Sequence, residues 1–210
     1  MASTLDKVTA FVTRETTTER ELLVFQHPTA GIQLPAGTVE AGETIEQAVL
    51  REVAEETGLT DVEIVDRFST IDPALAEDER VLTQEAVLQT SPGDEATLVK
   101  AVMLRRGMVV RVLAAEGKYV RVTYPEYAQR GGELITVSAR TGWLPVKVLT
   151  GEVQRHLFHL TTTAPTEHHW TKDADGHQFS LFWVPLSQDP GLTPAHDRWY
   201  REVRDQLRAS

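Results

Sequence analysis

The chain has 210 residues, a formal net charge of −10 and no cysteine. Its length fits one domain, or one domain that carries a sizeable insertion, and the lack of cysteine excludes disulfides, thiolate nucleophiles and cysteine-based zinc sites. The negative charge disfavours bulk binding to nucleic acid or to an anionic membrane surface.

Residues 1–7 have no apolar run behind a basic end, which predicts that the chain has no secretory signal. No apolar stretch approaches the roughly 20 residues that a membrane-spanning helix needs. We therefore expect a cytoplasmic protein without membrane contact.

The first part of the chain reads as strands around one helix. Residues 8–13 and 21–25 predict two strands joined as a hairpin by a polar turn. Residues 44–57 predict a helix, with Thr44 as its N-cap, Gln47 three residues later and Gly58 at its end. A strand is predicted to follow over residues 62–68.

The second part reads mainly as strands. From residue 98 to 150, short strands separated by glycine-containing turns predict a small β-barrel. Strands are expected again over residues 152–160 and 178–186, on either side of a polar loop. A last helix begins at Pro194 and presents Trp199, Val203 and Leu207 at helical spacing, which predicts that it packs on a core.

The helix at 44–57 carries acidic residues where apolar ones are expected. At about 100° per residue, Glu52 and Glu56 fall within its apolar arc and Glu55 lies at the edge of that arc. All three lie near the negative end of the helix dipole, and Glu52 and Glu56 form a like-charge pair. A divalent cation would remove this conflict, since clustered carboxylates are the ligands that Mg²⁺ prefers. Arg51 is expected to brace a carboxylate, with Glu43 or Glu55 as its partner.

This segment resembles the Nudix box, Gly-x5-Glu-x7-Arg-Glu-U-x-Glu-Glu-x-Gly-U, where U is a bulky aliphatic residue. The positions that match are Gly37, Glu43, Arg51, Glu52, Val53, Glu55, Glu56, Gly58 and Leu59. The resemblance extends to about residues 5–90 and 152–210. It implies an α+β fold, an α/β/α sandwich with a mixed sheet between helices. The Nudix domain would comprise residues 1–90 and 152–210, interrupted by a small β-barrel at 98–150.

The resemblance also implies the chemistry. Glu52, Glu55 and Glu56, joined by the Gly37 carbonyl, would bind Mg²⁺, with Mn²⁺ as a substitute. Arg51 would orient Glu52, and Glu43 would be a supporting contact.

The implied reaction is attack of water on one phosphorus of a nucleoside diphosphate linked to another moiety. We place Glu52 or Glu56 ahead of Glu167, Asp173 and Asp175 as the general base. The alternative is a catalytically silent, Nudix-like nucleotide sensor or regulator, although a damaged box would be expected for it.

Histidine and tryptophan side chains near residue 170 are further candidates. His168 and His169 are interpreted as contacts to a phosphate or base, and Trp170 as a platform for a nucleobase; surface histidines and ordinary packing are the competing interpretations. His156 and His159 should point to opposite faces of a strand and so should not share one metal ion.

Residues 98–150 resemble a bacterial Src-homology-3-like barrel. Such a barrel would bind a peptide or glycan, mediate a homodimer or protein partnership, or cover the active site. Its basic residues would solvate it or attract an anionic substrate, and we favour solvation. These residues are Arg105, Arg106, Arg111, Lys118 and Arg121.

Overall fold

The structure is a computed structural model that describes residues 4–71, 75–93, 97–130, 133–174 and 176–209. The chain divides into two compact units. We call Lys7–Ile71 with Arg155–Ser210 the box unit, because it contains residues 37–59, and Met1–Asp6 with Asp72–Gln154 the seven-strand unit. Within the described ranges, neither helix is long and apolar enough to cross a membrane.

Fifteen strands, two α-helices and one 3-10 turn follow one another in the part of the chain that the structure describes. The strands are β1 (Leu5–Glu15), β2 (Arg20–His27), β3 (Gly31–Gln33), β4 (Ala36–Thr38), β5 (Glu63–Ile71), β6 (Glu79–Leu82), β7 (Ala86–Gln89), β8 (Leu98–Leu104), β9 (Val109–Glu116), β10 (Tyr119–Arg130), β11 (Glu133–Pro145), β12 (Leu149–Thr150), β13 (Val153–Thr161), β14 (His169–Ala174) and β15 (His177–Pro185). The helices are α1 (Ile45–Thr57) and α2 (Pro194–Ala209), and the 3-10 turn is Val146–Val148.

The box unit is built on one sheet with the strand order β14-β15-β2-β1-β13-β5. Strands β1 and β2 form the predicted hairpin. Towards the other end of these two strands, β3 pairs with β2 and β4 pairs with β1. The segment of residues 31–38, which leads into α1, is therefore incorporated into the sheet.

Each face of this sheet carries one helix. Alternate residues of a strand point to opposite faces, so Val8, Ala10 and Val12 of β1 pack with Val49 and Val53 of α1. We call this the α1 face. The intervening Phe11 and the β2 residues Leu22 and Val24 pack instead with α2, on the α2 face, against Tyr200, Val203 and Leu207. This is the helix–sheet–helix arrangement that the resemblance implied, and the last helix docks on a core as predicted.

The seven-strand unit is a sheet with the order β12-β6-β9-β10-β11-β7-β8. Its apolar core includes Leu82, Leu88, Val110, Val122 and Leu144, all of them fully buried. The paired order given by the described residues does not close the sheet into a barrel, so the Src-homology-3-like barrel stays a prediction.

The boundary between the units lies earlier in the chain than the sequence indicated. We expected residues up to 90 to belong with the box, but β6 pairs with β9 and β12, and β7 pairs with β8 and β11. The physical reason is cross-strand hydrogen bonding, because each of these two short strands lies between two strands that both come after residue 97 in the chain. The boundary between the two compact units therefore lies between Ile71 and Asp72.

Candidate active site

Local sequence fixes both ends of α1. Thr44 accepts a hydrogen bond from the Gln47 amide at 3.1 Å, and the Gln47 side chain accepts from the Thr44 amide at 2.8 Å, which completes a capping box. Gly58 ends the helix with φ 81°, a left-handed conformation that favours glycine. Ala48, Val49 and Val53 are buried, as the apolar arc predicted. The register of the acidic residues on this helix is therefore set by its caps and its core.

Arg51 gathers three carboxylates of the box. It donates two hydrogen bonds to Glu43, at 2.8 and 3.1 Å, in the forked geometry expected for it. Its Nη1 donates to Glu52 at 2.9 Å and to Glu55 at 3.1 Å. The side chains of Glu43 and Glu52 are 16% and 13% exposed, whereas that of Glu55 is 59% exposed. Arg51 therefore contacts both of the alternative partners that its local sequence offered, Glu43 and Glu55, and also Glu52, which the resemblance implied that it orients.

The carboxylates hold Arg51 in its charged form. Hydrogen bonding to Glu43 raises the pKa of the Arg51 guanidinium above its ordinary value, and the charge of Glu52 acts in the same direction against the opposing effect of burial. Arg51 also donates to the Thr38 carbonyl at 3.2 Å, which ties it to β4. It is thus a fixed cation that joins the helix to the preceding strand.

Gly37 is where the Glu52 carboxylate meets the sheet. Gly37 pairs with Val8, which faces α1, and a Cβ atom built on Gly37 would lie 1.8 Å from Oε1 of Glu52. Any side chain at this position would occupy the space of the carboxylate. The first glycine of the box is therefore required by a close approach between helix and strand.

Glu56 contacts the same short strand by a different route. Its Oε2 accepts a hydrogen bond from the Ala36 amide at 2.9 Å. Glu52 and Glu56 thus both reach β4, at adjacent residues, while Glu55 remains largely in solvent. The sequence expectation that Glu52 and Glu56 turn towards the core-facing side of the helix is confirmed.

The oxygens of these glutamates do not converge on one point within the described residues. Within the described ranges, no group of three or more histidine, aspartate or glutamate side chains has the geometry to hold a metal ion. Arg51 and the Ala36 amide occupy carboxylate oxygens that a cation would need. The donor set nevertheless fits a hard divalent cation, because it consists of glutamate oxygens at one strand–helix junction.

The other predicted substrate residues have contacts of their own. Trp170 packs on the α1 face and donates from Nε1 to the carbonyl of Thr57 at 2.8 Å, at the last residue of α1. His168 lies 3.9 Å from Glu21, near the β1–β2 hairpin. His169 stacks on Phe182, on the α2 face. The structure does not bring His168 or His169 to the carboxylates, and their roles as substrate contacts stay predictions.

Two candidate acids of the long loop, Glu167 and Asp173, lie within the described residues. Glu167 is exposed, and Asp173 accepts from the Gln178 side chain at 3.5 Å on the strand face opposite to Trp170. Asp175 lies outside the described residues. His156 contacts Arg67 and Thr70, whereas His159 bonds to Thr13.

The two histidines of β13 do point to opposite faces. His156 shares its face with Phe158 of the α1 core, and His159 stacks on Phe68 of the α2 core. They cannot bind one ion together, as the sequence predicted.

Strand register reveals residues near the box that sequence reasoning missed. Lys172 pairs across the sheet with Phe179, whose ring lies 5.2 Å from His27, and His27 lies 4.7 Å from His177. Phe179 belongs to the α1 core, so this group shares the face that carries Glu52 and Glu56. No motif marks these residues, because they come together only through the pairing of three strands.

Two comparisons of sequence bear on the family. Residues 4–102 match the family model described as NUDIX domain. A curated relative from Caenorhabditis elegans, a protein named for the nudix hydrolases, is 42% identical over 53 residues. The match covers 24% of this chain and 24% of that protein, so this chain spans about a quarter of the length of that relative.

Solved structures give a third comparison. The NUDIX domain of Shewanella oneidensis NrtR, complexed with ADP ribose, is 13% identical with a TM-score of 0.46, covering 99% of this chain and 90% of that one. The Ap4A hydrolase of Caenorhabditis elegans is 12% identical with a TM-score of 0.46, covering 98% and 99%. The box at residues 37–59 lies inside the span that matches the family model. Residues 4–102, which include the box, are therefore the part of this chain that is similar to the NUDIX domain.

Proposed function

We propose that this protein is a magnesium-dependent hydrolase that cleaves the pyrophosphate bond of a nucleoside diphosphate linked to another moiety. The observation that carries the proposal is the junction at β4. There Glu52 lies against Gly37, Glu56 accepts from Ala36, and Arg51 ties Glu43, Glu52 and Glu55 together. A purely structural helix would not turn two glutamates onto a strand backbone.

The proposed ligands of the cation are the carboxylates of Glu52, Glu55 and Glu56 together with the Gly37 carbonyl, and Mn²⁺ is the expected substitute for Mg²⁺. When bound, a divalent ion neutralises phosphate charge and lowers the pKa of bound water. The contact with Gly37 favours this assignment, since it brings one carboxylate onto the backbone that is to supply the carbonyl ligand.

The roles of the chain's own residues follow from their contacts. Arg51 is a positioning residue, because its Nη1 bonds fix Glu52 and Glu55. Water attacks one phosphorus and the bond to the bridging oxygen breaks. The proton of the water passes to a carboxylate oxygen of Glu52 or Glu56, which acts as general base. Glu43 supports the arrangement by holding Arg51.

A substrate screen tests the proposal. Modified nucleoside triphosphates, nucleotide sugars, ADP-ribose and dinucleoside polyphosphates are offered with Mg²⁺, with Mn²⁺ and with chelator, and the products are separated by chromatography. We expect turnover of at least one class with either ion and none with chelator. Tight nucleotide binding without turnover would instead favour the catalytically silent sensor. Turnover that persists in chelator would overturn the metal-dependent mechanism.

The seven-strand unit has a separate proposal. We infer that residues 98–150 form a Src-homology-3-like barrel that serves as a surface for a protein partner or a second copy of the chain. Support comes from the antiparallel pairing of β9, β10 and β11 and from the apolar core to which they contribute. Sedimentation of the full chain tests self-association, and a concentration-independent monomer would rule out the homodimer. A cytoplasmic location remains an expectation.

A further inference from the structure

Lys172 is a cation on the α1 face whose neighbours differ from those of the arginines on that face. Arg14 pairs with Glu21, Arg51 with Glu43 and Arg67 with Glu46. No carboxylate lies in ion-pair contact with Lys172 in the described part of the chain. In a protein of net charge −10, a half-buried cation without an acidic partner calls for an explanation.

The position of Lys172 is set by two contacts. It pairs with Phe179 across β14 and β15. Its Cδ lies 3.7 Å from the place that a Cβ atom on Gly58 would occupy, just beyond the last turn of α1. Glu56 belongs to that last turn and reaches Ala36 of β4. The carboxylate and the lysine therefore both lie at the C-terminal end of α1, one towards β4 and the other on β14.

Two histidines border the same region. His27 lies 5.2 Å from the Phe179 ring and 4.7 Å from His177, which is exposed. Nδ1 of His27 accepts hydrogen bonds from the amides of Thr29 and Ala30, both at 3.1 Å. Neutral His27 thus carries its proton on Nε2. The region offers nitrogen donors of the kind that bind phosphate oxygens.

We propose that Lys172 anchors a phosphate group of the substrate, on the half of the pyrophosphate that water does not attack. The inference rests on the proposed function, because it assigns a binding residue to the phosphate of that substrate that water does not attack. The box supplies acids, which repel a polyanion until a cation is bound. Lys172 supplies a positive charge on the same sheet face, beside the helix end that carries Glu56. His27 and His177 flank the anchored group.

A structural role for Lys172 is the competing explanation. A lysine near the C-terminus of a helix interacts favourably with the helix dipole, and α1 has no basic residue in its last turn. That role predicts a lower melting temperature on substitution and no change in ligand affinity. The anchoring role predicts weaker binding at a nearly constant melting temperature, so the two can be separated.

The experiment uses the full chain and α,β-methylene-ADP, a diphosphate probe whose bridging carbon resists cleavage. Its Kd is measured by calorimetry with Mg²⁺ for the unchanged chain, Lys172→Gln, Lys172→Arg and Lys147→Gln. Lys147 is an exposed lysine of the seven-strand unit and serves as the matched control for bulk charge. We expect Kd to rise about tenfold in Lys172→Gln, as for the loss of one charge-assisted hydrogen bond. It should stay within about threefold in Lys172→Arg, which keeps the charge, and be unchanged in Lys147→Gln.

Turnover of the best substrate gives a second readout. In Lys172→Gln we expect KM to rise with little change in kcat, since the contact is present in both ground and transition states. An unchanged Kd and KM would overturn the anchor while leaving hydrolysis established. Equal weakening in Lys147→Gln, or failure of the unchanged chain to bind the probe, would also overturn it. Binding that depends on Lys172 in a chain that hydrolyses nothing would support the anchor and refute the proposed function.

Discussion

The two helices pack on opposite faces of one sheet but follow different rules. In α2, the buried residues Tyr200, Val203 and Leu207 lie on one side, and Asp197 and Arg201 form an i, i+4 ion pair at 2.6 Å. In α1, the buried side includes Val49 and Val53, but two glutamates also turn towards the sheet. Packing accounts for the whole pattern of α2 and for only half of that of α1.

The difference shows how function can be separated from stability in this molecule. Burial of an apolar side chain stabilises the folded state by about 1.5–3 kcal/mol, and α2 contributes through such residues. A glutamate that approaches a strand backbone contributes no comparable stability. Substitutions of the α1 glutamates should therefore change turnover and leave folding nearly intact, and substitutions of the buried apolar residues of α2 should do the reverse.

The largest expected effect comes from Glu56→Gln. The amide oxygen of glutamine can still accept from the Ala36 amide, so the fold is retained. Loss of the negative charge also removes the repulsion between residue 56 and Glu52, which destabilises the helix by about 0.2–0.5 kcal/mol. We expect kcat to fall by about 10²–10⁴-fold, the range for loss of a general base, at an unchanged or slightly higher Tm.

Glu202→Gln is the matched control for that variant, because Glu202 is an exposed glutamate of α2. Its turnover should equal that of the unchanged chain. Full turnover in Glu56→Gln under saturating Mg²⁺ would contradict the proposed role of the residue.

Gly37→Ala should reduce activity through the position of Glu52. The added Cβ would lie 1.8 Å from Glu52 Oε1, so the carboxylate must swing away. The group that moves is the end of a flexible side chain, and we expect the free energy of unfolding to change by less than about 1 kcal/mol. Turnover should fall by about 10–100-fold, as expected when a catalytic group is displaced by about 1 Å.

Turnover and urea unfolding are measured together for Gly37→Ala. Gly117→Ala tests whether any glycine substitution has this effect, since no atom lies within 4 Å of a Cβ at Gly117. That variant should lose some stability, because Gly117 has φ 57°, but no activity. If Gly37→Ala is as active as the unchanged chain, turnover does not depend on the contact between Glu52 and β4.

Val203→Ala tests the other helix. Val203 is fully buried in the core between α2 and the sheet. Removal of two methyl groups should cost about 2 kcal/mol of unfolding free energy, including the cavity that remains. Urea unfolding measures this loss, and kcat of the folded protein should stay within about twofold. A large loss of kcat at an unchanged stability would break the division of roles between the helices.

Local signals in the sequence were enough to predict much of both helices. The capping box at Thr44 and Gln47 and the stop at Gly58 depend only on neighbouring residues, and all three are confirmed. The docking of α2 followed from apolar spacing alone. Arg51 with Glu43 and Glu55 was also accessible, because these residues lie within about two helical turns or a short loop of one another.

What the sequence did not predict depends on pairing between distant segments. Lys172 and His27 are neighbours of Phe179 because β14, β15 and β2 pair in one register, and strand register is not visible in any single segment. For the same reason β6 was expected to belong with residues 1–90 and not with the second sheet. The contact between Glu52 and Gly37 likewise depends on the pairing of β4 with β1, which the sequence does not show.

The smallest expected effect at pH 7 concerns His196, near the start of α2. Its Nδ1 accepts from the Leu34 amide at 3.0 Å, and burial together with the charge of Arg155 lowers the pKa of His196 to about 3. Arg155 is itself buried and stacks on Trp199 with its guanidinium carbon 3.9 Å from the ring centroid. Protonation of His196 would place a second cation there and abolish the acceptor for Leu34.

The direction of the pH dependence follows from this pKa. Since the folded value lies below the ordinary 6.5, the unfolded chain binds the proton first as the pH falls. The stabilising contribution is therefore complete above pH 6.5 and is lost towards pH 3, at up to about 1.4 kcal/mol per pH unit. At pH 7 both states are neutral, so His196→Asn, whose side-chain oxygen can replace Nδ1 as acceptor, should cost less than about 1 kcal/mol.

Urea unfolding at pH 7, 6, 5 and 4 gives the free energy of unfolding of the unchanged chain and of His196→Asn. The difference between them should grow in favour of His196→Asn as the pH falls. Equal slopes would show that His196 is not the group responsible. Leu34 precedes β4 by two residues, so the bond from His196 links α2 to the segment on which Glu52 and Glu56 rest. If low pH reduces the turnover of the unchanged chain more than that of His196→Asn, α2 also helps to hold Glu52 and Glu56 of α1 in place.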